Sequence, residues 1–160
     1  IVLDNVLDTY NIGSIFRLAD AVAAKKIYLC GETETPPNHR IKKASINTTE
    51  VVDWEYVESA VRAIDKLTSE VKKMQLHLGG AKPVQIVAIE QSKKSVQYDK
   101  FKYTLPICLV VGHETNGVSK KILQMADAVV EIPMFGVNKS LNVMVSLAIV
   151  LYKVAEECLP

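Results

Sequence analysis

ICLVVGHETNGVSKKILQMADAVVEIP, residues 107–133, carries a strand, a turn, a short helix and a second strand in 27 residues. ICLVVG (107–112) is continuously apolar, the pattern of a strand covered on both faces of a parallel sheet. SKKILQMA (119–126) has helical spacing, and AVVEIP (128–133) is a strand closed by Pro133. Working outward, VQIVAIE (84–90) is a second central strand. IVLDNV (1–6), KIYLCG (26–31) and, more weakly, VVDWEYV (51–57) add three more. Helical periodicity marks 11–24, where Ile12, Ile15, Phe16, Ala19, Val22 and Ala23 share a face and Asn11 stands as N-cap. It also marks 58–77, ended by Gly79 and Gly80, and 141–157. Residues 32–50 read mostly as loop. Strands alternating with helices define an α/β fold with a mostly parallel sheet flanked by helices.

The composition is that of an ordinary globular domain: 160 residues, 49% apolar, 23% charged, formal net charge +1. The length fits one domain, 1–160. Residues 1–80 hold 10 Lys/Arg against 11 Asp/Glu, and 81–160 hold 9 against 7, so any nucleic-acid contact is a local patch. Cys30, Cys108 and Cys158 are dispersed and odd in number. That argues against a disulfide framework or structural zinc and for a reducing, cytoplasmic setting. The apolar run Val143 to Leu151 is about half of the ~20 residues a membrane span needs. The chain opens at Ile1 directly in a strand, and an N-terminal extension is expected before it.

In open α/β sheets ligands gather at the carboxyl ends of the strands. Three polar or glycine-bearing segments follow strands: DTYNIGSIFR (8–17), GHETNGVS (112–119) and FGVNKSLN (135–142). Arg17, opposite the apolar face of its helix, is either a solvated side chain or an anion anchor. Gly112 and Gly117 flank Glu114 without a dinucleotide or P-loop fingerprint, which disfavours a nucleotide-dependent oxidoreductase. The segment is either a plain turn or one whose backbone reads a small molecule. Ser140 suits a helix cap. Asn142, a weak helix former just inside an apolar run, carries a local cost that a site role would justify. His39, His77 and His113 have no metal-ligand spacing, and no metal is expected.

Taken together, NVLDTYNIGSIFRLADA (5–21), LVVGHETNGVS (109–119) and VEIPMFGVNKSLNVMVSLAIVLY (130–152) resemble, in order, the three motifs of the SpoU branch of the SPOUT superfamily. KKASINTTEVVDWEYV (42–57) is similar to that family's middle region. The resemblance implies an RNA ribose 2′-O-methyltransferase acting on tRNA or rRNA with S-adenosylmethionine as methyl donor. It implies a C-terminal deep trefoil knot and a homodimer paired through the knot region. Carried onto this chain, it implies a donor site of Ile89, Glu90, Gly112, Glu114, Gly117, Ile132 and Leu141. Arg17, Asn11, Ser140 and Asn142 would be catalytic. Arg17, Arg40, Lys42, Lys43 and Lys139 would contact RNA, with no membrane partner. Glu114 is expected to order its turn rather than act as an acid. Two departures stand out: Asp8-Thr9 where relatives have Asp-Pro, and Met144 where a serine is common. A non-catalytic RNA-binding protein and a base methyltransferase are the alternatives.

Overall fold

The computed structural model describes residues 1–78 and 82–159, with Gln75, His77 and Leu78 described by backbone alone. The expected helix stop at Gly79-Gly80 and the His77 side chain lie outside the described residues. Seven strands form one sheet in the order β3-β2-β1-β6-β4-β7-β5. They are β1 (Val2–Asp4), β2 (Ile27–Cys30), β3 (Trp54–Val57), β4 (Gln85–Ile89), β5 (Val96–Gln97), β6 (Ile107–Gly112) and β7 (Ala128–Glu131). Every pairing is parallel. The carboxyl ends of β1 and β6 therefore lie side by side, with Asp4 opposite Gly112.

Alternation along the strands divides the core between two faces. Leu3, Leu109 and Val111 pack with Ile12, Phe16, Leu147 and Val150 of helices α1 (Thr9–Ala21) and α5 (Val143–Cys158). Val2, Cys108 and Val110 pack with Ile64 and Ile122 of α3 (Ala60–Leu78) and α4 (Lys120–Met125). Burial pushes the Cys30 thiol up to about 12 and raises that of Cys108, so both behave as small apolar side chains.

Four local expectations need correction. The first helix starts at Thr9 with Asp8 as its cap, whose carboxylate accepts from Tyr10 N at 2.8 Å; Asn11 is buried one turn inside. Residues 32–50 are not mostly loop. They hold α2 (His39–Ser45), capped by Asn38, and a 3₁₀ turn at Thr48–Glu50. A seven-residue helix is too short for its periodicity to stand out, and this one exists because it packs on α1. At that crossing Gly13 is required, since a Cβ there would sit 2.6 Å from both Ala44 Cβ and Ile41 O. The last helix starts at Val143, and its cap is Asn142 rather than Ser140. The short strand β5 is an addition; at two residues it carries no readable alternation.

Candidate active site

The ends of β4, β6 and β7 enclose a cavity of about 270 Å³. Its walls come from three strand ends and the connections that follow them: Ile89, Glu90 and Gln91 at β4, residues 112–115 and Gly117 at β6, and Ile132, Met134 and Ser140 to Val143 after β7. Ile89, Glu90, Gly112, Glu114, Gly117, Ile132 and Leu141, assigned to one ligand from sequence, all line it. So do Ser140 and Asn142. The lining is mixed: Ile89, Val111, Val130, Ile132 and Leu141 suit a flat ring, while the polar side chains among them suit its polar edge.

Three carboxylates hold the β6 turn in place. Glu90 accepts from Val118 N and from Gln91 N, both at 2.8 Å. Asp4, 4% exposed, accepts at 2.9 Å from the N–H of Ser119, the N-cap residue of α4. Glu114 accepts from Leu7 N at 3.1 Å, Asp8 N at 2.9 Å and Asn11 Nδ2 at 3.2 Å. Burial pushes the Glu114 carboxyl up. The backbone N–H groups of Asp8 and Leu7, with the Asn11 amide, outweigh that and leave its pKa below the ordinary carboxylate value. Glu114 therefore works as an acceptor that joins the β6 turn to the start of α1. His113 is occupied within the same turn, its Nδ1 accepting from Thr115 N at 2.9 Å.

The polar centre lies between α1 and α5. Asn142 donates through Nδ2 to Asn11 Oδ1 at 3.0 Å, while its Oδ1 accepts from Met144 N and Val145 N. Asn11 passes the chain on to Glu114. One side chain thus caps α5 and joins the third motif to the first, so the local cost read for Asn142 from sequence is absent. Arg17 lies exposed on α1, and its guanidinium engages no carboxylate among the described residues. Arg40, Lys42 and Lys43 lie exposed on α2, which packs on α1; Lys42 pairs with Glu50 at 3.8 Å. Lys139 is exposed on the β7 loop, where its carbonyl accepts from Gln91 Nε2 at 2.6 Å. Sequence reasoning missed Asp4 and Gln91, whose partners lie 115 and 48 residues away and leave no local signal. It also missed Ser146, which lines the cavity one turn after Asn142, a spacing that could have revealed it.

Fold and site together define a parallel α/β protein with a small-molecule cavity built from three strand ends and a polar cluster at its mouth. Residues 1–152 match the SpoU rRNA Methylase family, and the chain belongs to it. It is 37% identical over 153 residues to a tRNA (guanosine(18)-2′-O)-methyltransferase of Aquifex aeolicus, covering 94% of this chain and 65% of that protein. It is 28% identical over 151 residues to the Escherichia coli K12 protein of the same description, covering 94% and 60%. The chain thus spans less than two thirds of the length of these curated relatives. The SpoU methyltransferase AviRb from Streptomyces viridochromogenes, solved with AdoMet, superposes with a TM-score of 0.83 at 25% identity, over 97% of this chain and 56% of that one. The A. aeolicus TrmH/SpoU tRNA modifying enzyme gives 0.79 at 33% identity, over 98% and 73%.

Proposed function

We propose that residues 1–160 form a single catalytic domain that transfers a methyl group from S-adenosylmethionine to a ribose 2′-hydroxyl of tRNA or rRNA. The observation that carries this is convergence: seven residues assigned to the donor line one cavity, and Asn11, Asn142 and Glu114 bridge two of its walls to α1. The donor supplies an already activated sulfonium methyl, so the protein's task is alignment and removal of one proton. Backbone groups at Gly112, Ile132 and Leu141 would hold the adenine, with Ile89 and Glu90 forming a further wall and Gly117 and Glu114 shaping the turn. Arg17, permanently charged, anchors the phosphate beside the reacting ribose and stabilises developing charge. Ser140 or a phosphate oxygen of the RNA receives the 2′-hydroxyl proton. Asn11 and Asn142 position the ribose. Arg40, Lys42, Lys43 and Lys139 hold flanking phosphates.

Segment 133–142 is read as part of a C-terminal trefoil knot, a reading supported by the Gln91 bond to Lys139 O across two cavity walls. A homodimer through this region is supported by apolar side chains left in water: Phe135 at 94%, Val137 at 98% and Tyr152 at 53% exposure. The free cysteines fit a cytoplasmic, reducing setting. Among the described residues, no helix is long and apolar enough to cross a membrane, and no group of three or more His, Cys, Asp or Glu is arranged to hold a metal.

The test uses methyl-labelled S-adenosylmethionine with unmodified total RNA, followed by digestion to nucleosides. Label in a 2′-O-methyl nucleoside is expected, and label on a base overturns the ribose assignment. Arg17→Ala is expected to lower transfer by 100-fold or more, on the order of one lost electrostatic donor, with donor affinity unchanged. Lost donor affinity would remove Arg17 from the RNA side.

A further inference from the structure

A second, open groove lies at the other edge of the sheet, lined by Glu32, Glu34, Pro37, Asn38, Trp54 and Tyr56 among others. Trp54 and Tyr56 stand on the same face of edge strand β3. Tyr56 is 50% exposed, and its hydroxyl donates to Gly31 O at 3.1 Å, which holds the ring over the groove. Across it, Glu32 is exposed; its backbone N–H donates to Asn5 Oδ1 at 3.0 Å, which pins the loop. Asn38 closes one end and caps α2, so Arg40 and Lys43 follow within two turns.

The geometry points to a second RNA subsite: the groove takes one unpaired base of the substrate, a few nucleotides from the ribose that is methylated. Three features select this occupant. A half-exposed aromatic held by its hydroxyl is a stacking platform for any base. The Glu32 carboxylate and that of Glu34, which already accepts from Asn38 Nδ2, only accept, so they favour bases carrying an exocyclic amine and disfavour uracil, which offers one N–H between two carbonyls. The cations of α2 lie beside the groove rather than inside it. A nucleotide therefore enters base first, with its phosphate on α2 and away from the carboxylates. From β3, which carries Tyr56, to β6 or β4 is three or four strand spacings, roughly 14–19 Å at ~4.8 Å each. That is about four to six nucleotide rises of ~3.4 Å, and α1 with Arg17 lies on the way.

This inference rests on the methyltransferase reading, and the test separates the two. Fluorescein-labelled 12-nucleotide oligo(A) and oligo(U) are titrated by anisotropy. Donor affinity and methyl transfer to total RNA are measured on the same samples. Tyr56→Ala is expected to weaken oligo(A) binding about 5- to 100-fold, the range for one stacked base, with Tyr56→Phe, which keeps the ring but loses the hydroxyl bond to Gly31 O, weakening it less, and donor affinity unchanged in both. Glu32→Gln, at an exposed side chain whose replacement leaves the fold intact, is expected to narrow the oligo(A) preference over oligo(U). Arg40→Ala with Lys43→Ala should weaken both oligomers equally and flatten the salt dependence. Wild-type binding in both Tyr56→Ala and Glu32→Gln overturns the subsite, as does a groove that takes an arginine-rich peptide without displacing RNA. Normal oligomer results with no methyl transfer by wild type leave the subsite and overturn the catalytic reading; a wild type that binds no RNA overturns both.

Discussion

The turn after β6 and the loop after β7 wall the same cavity, yet they are built differently. Residues 112–119 are held from outside by Asp4 and Glu90 and tied through their own Glu114 to Leu7 and Asp8, each carboxylate taking a backbone N–H. Charge-assisted bonds of this kind are stronger than neutral ones, so the turn is set before any ligand arrives. The loop 133–142 has one anchor at its end, Asn142, and one cross-link, Gln91 to Lys139 O. Phe135 and Val137 between them pack on nothing. A preformed wall costs no ordering on binding, whereas a loose one must be ordered by its ligand or partner. The β6 side is therefore the better fixed of the two walls, and the β7 side is the one expected to order on binding.

Gly117→Ala should break this contrast most severely. Gly117 has φ +68, and a Cβ there would lie 2.0 Å from Glu90 Oε2. Left-handed strain and the displaced carboxylate together should cost about 3 kcal/mol. Donor affinity should fall more than 100-fold by calorimetry, and an unchanged melting curve would show that the turn is not preset.

Glu114→Gln should be milder, about 1.5–3 kcal/mol for weakened charge-assisted bonds. The sign with pH follows from its lowered pKa. Stability from this group is complete above the unfolded value of ~4.3 and is lost as pH falls through the lower folded value. Wild-type donor affinity should hold from pH 7 through the ordinary carboxylate range and drop only below it, because the folded pKa is lowered, while Glu114→Gln starts lower and loses the step. Identical profiles would dismiss Glu114 as the clamp. Phe135→Ser with Val137→Ser should do least to the isolated chain, within about 0.5 kcal/mol in denaturant unfolding. The same double variant should shift sedimentation toward monomer, and a large stability loss would show that the loop is already packed.

Much of this was legible in the sequence because it is local. The buried strands of 84–90 and 107–112, the helical faces of 11–24 and 141–157, and the glycine-bearing segments after strands follow from side-chain spacing and backbone chemistry within a few residues. The order of three motifs carried the family. Helix α2 was not legible, because seven residues form a helix only against a neighbour, at a glycine on α1. Nor was the cap of α5 assigned correctly, since Ser140 and Asn142 are both good caps and only the chain's path through the site chooses between them.

By itself, then, the sequence determined the α/β class, the position of most elements and, through the family resemblance, nine of the residues that wall the cavity. The tertiary structure decided what each polar side chain is used for. Asp4 and Glu90 are acceptors for a turn far away in the chain, Glu114 reaches from that turn to the start of α1, Asn142 joins two motifs while capping a helix, and Arg17 is left without a carboxylate among the described residues. Those outcomes depend on which backbone N–H groups the parallel sheet brings to one edge, and strand order across crossovers is a long-range property that no local pattern encodes.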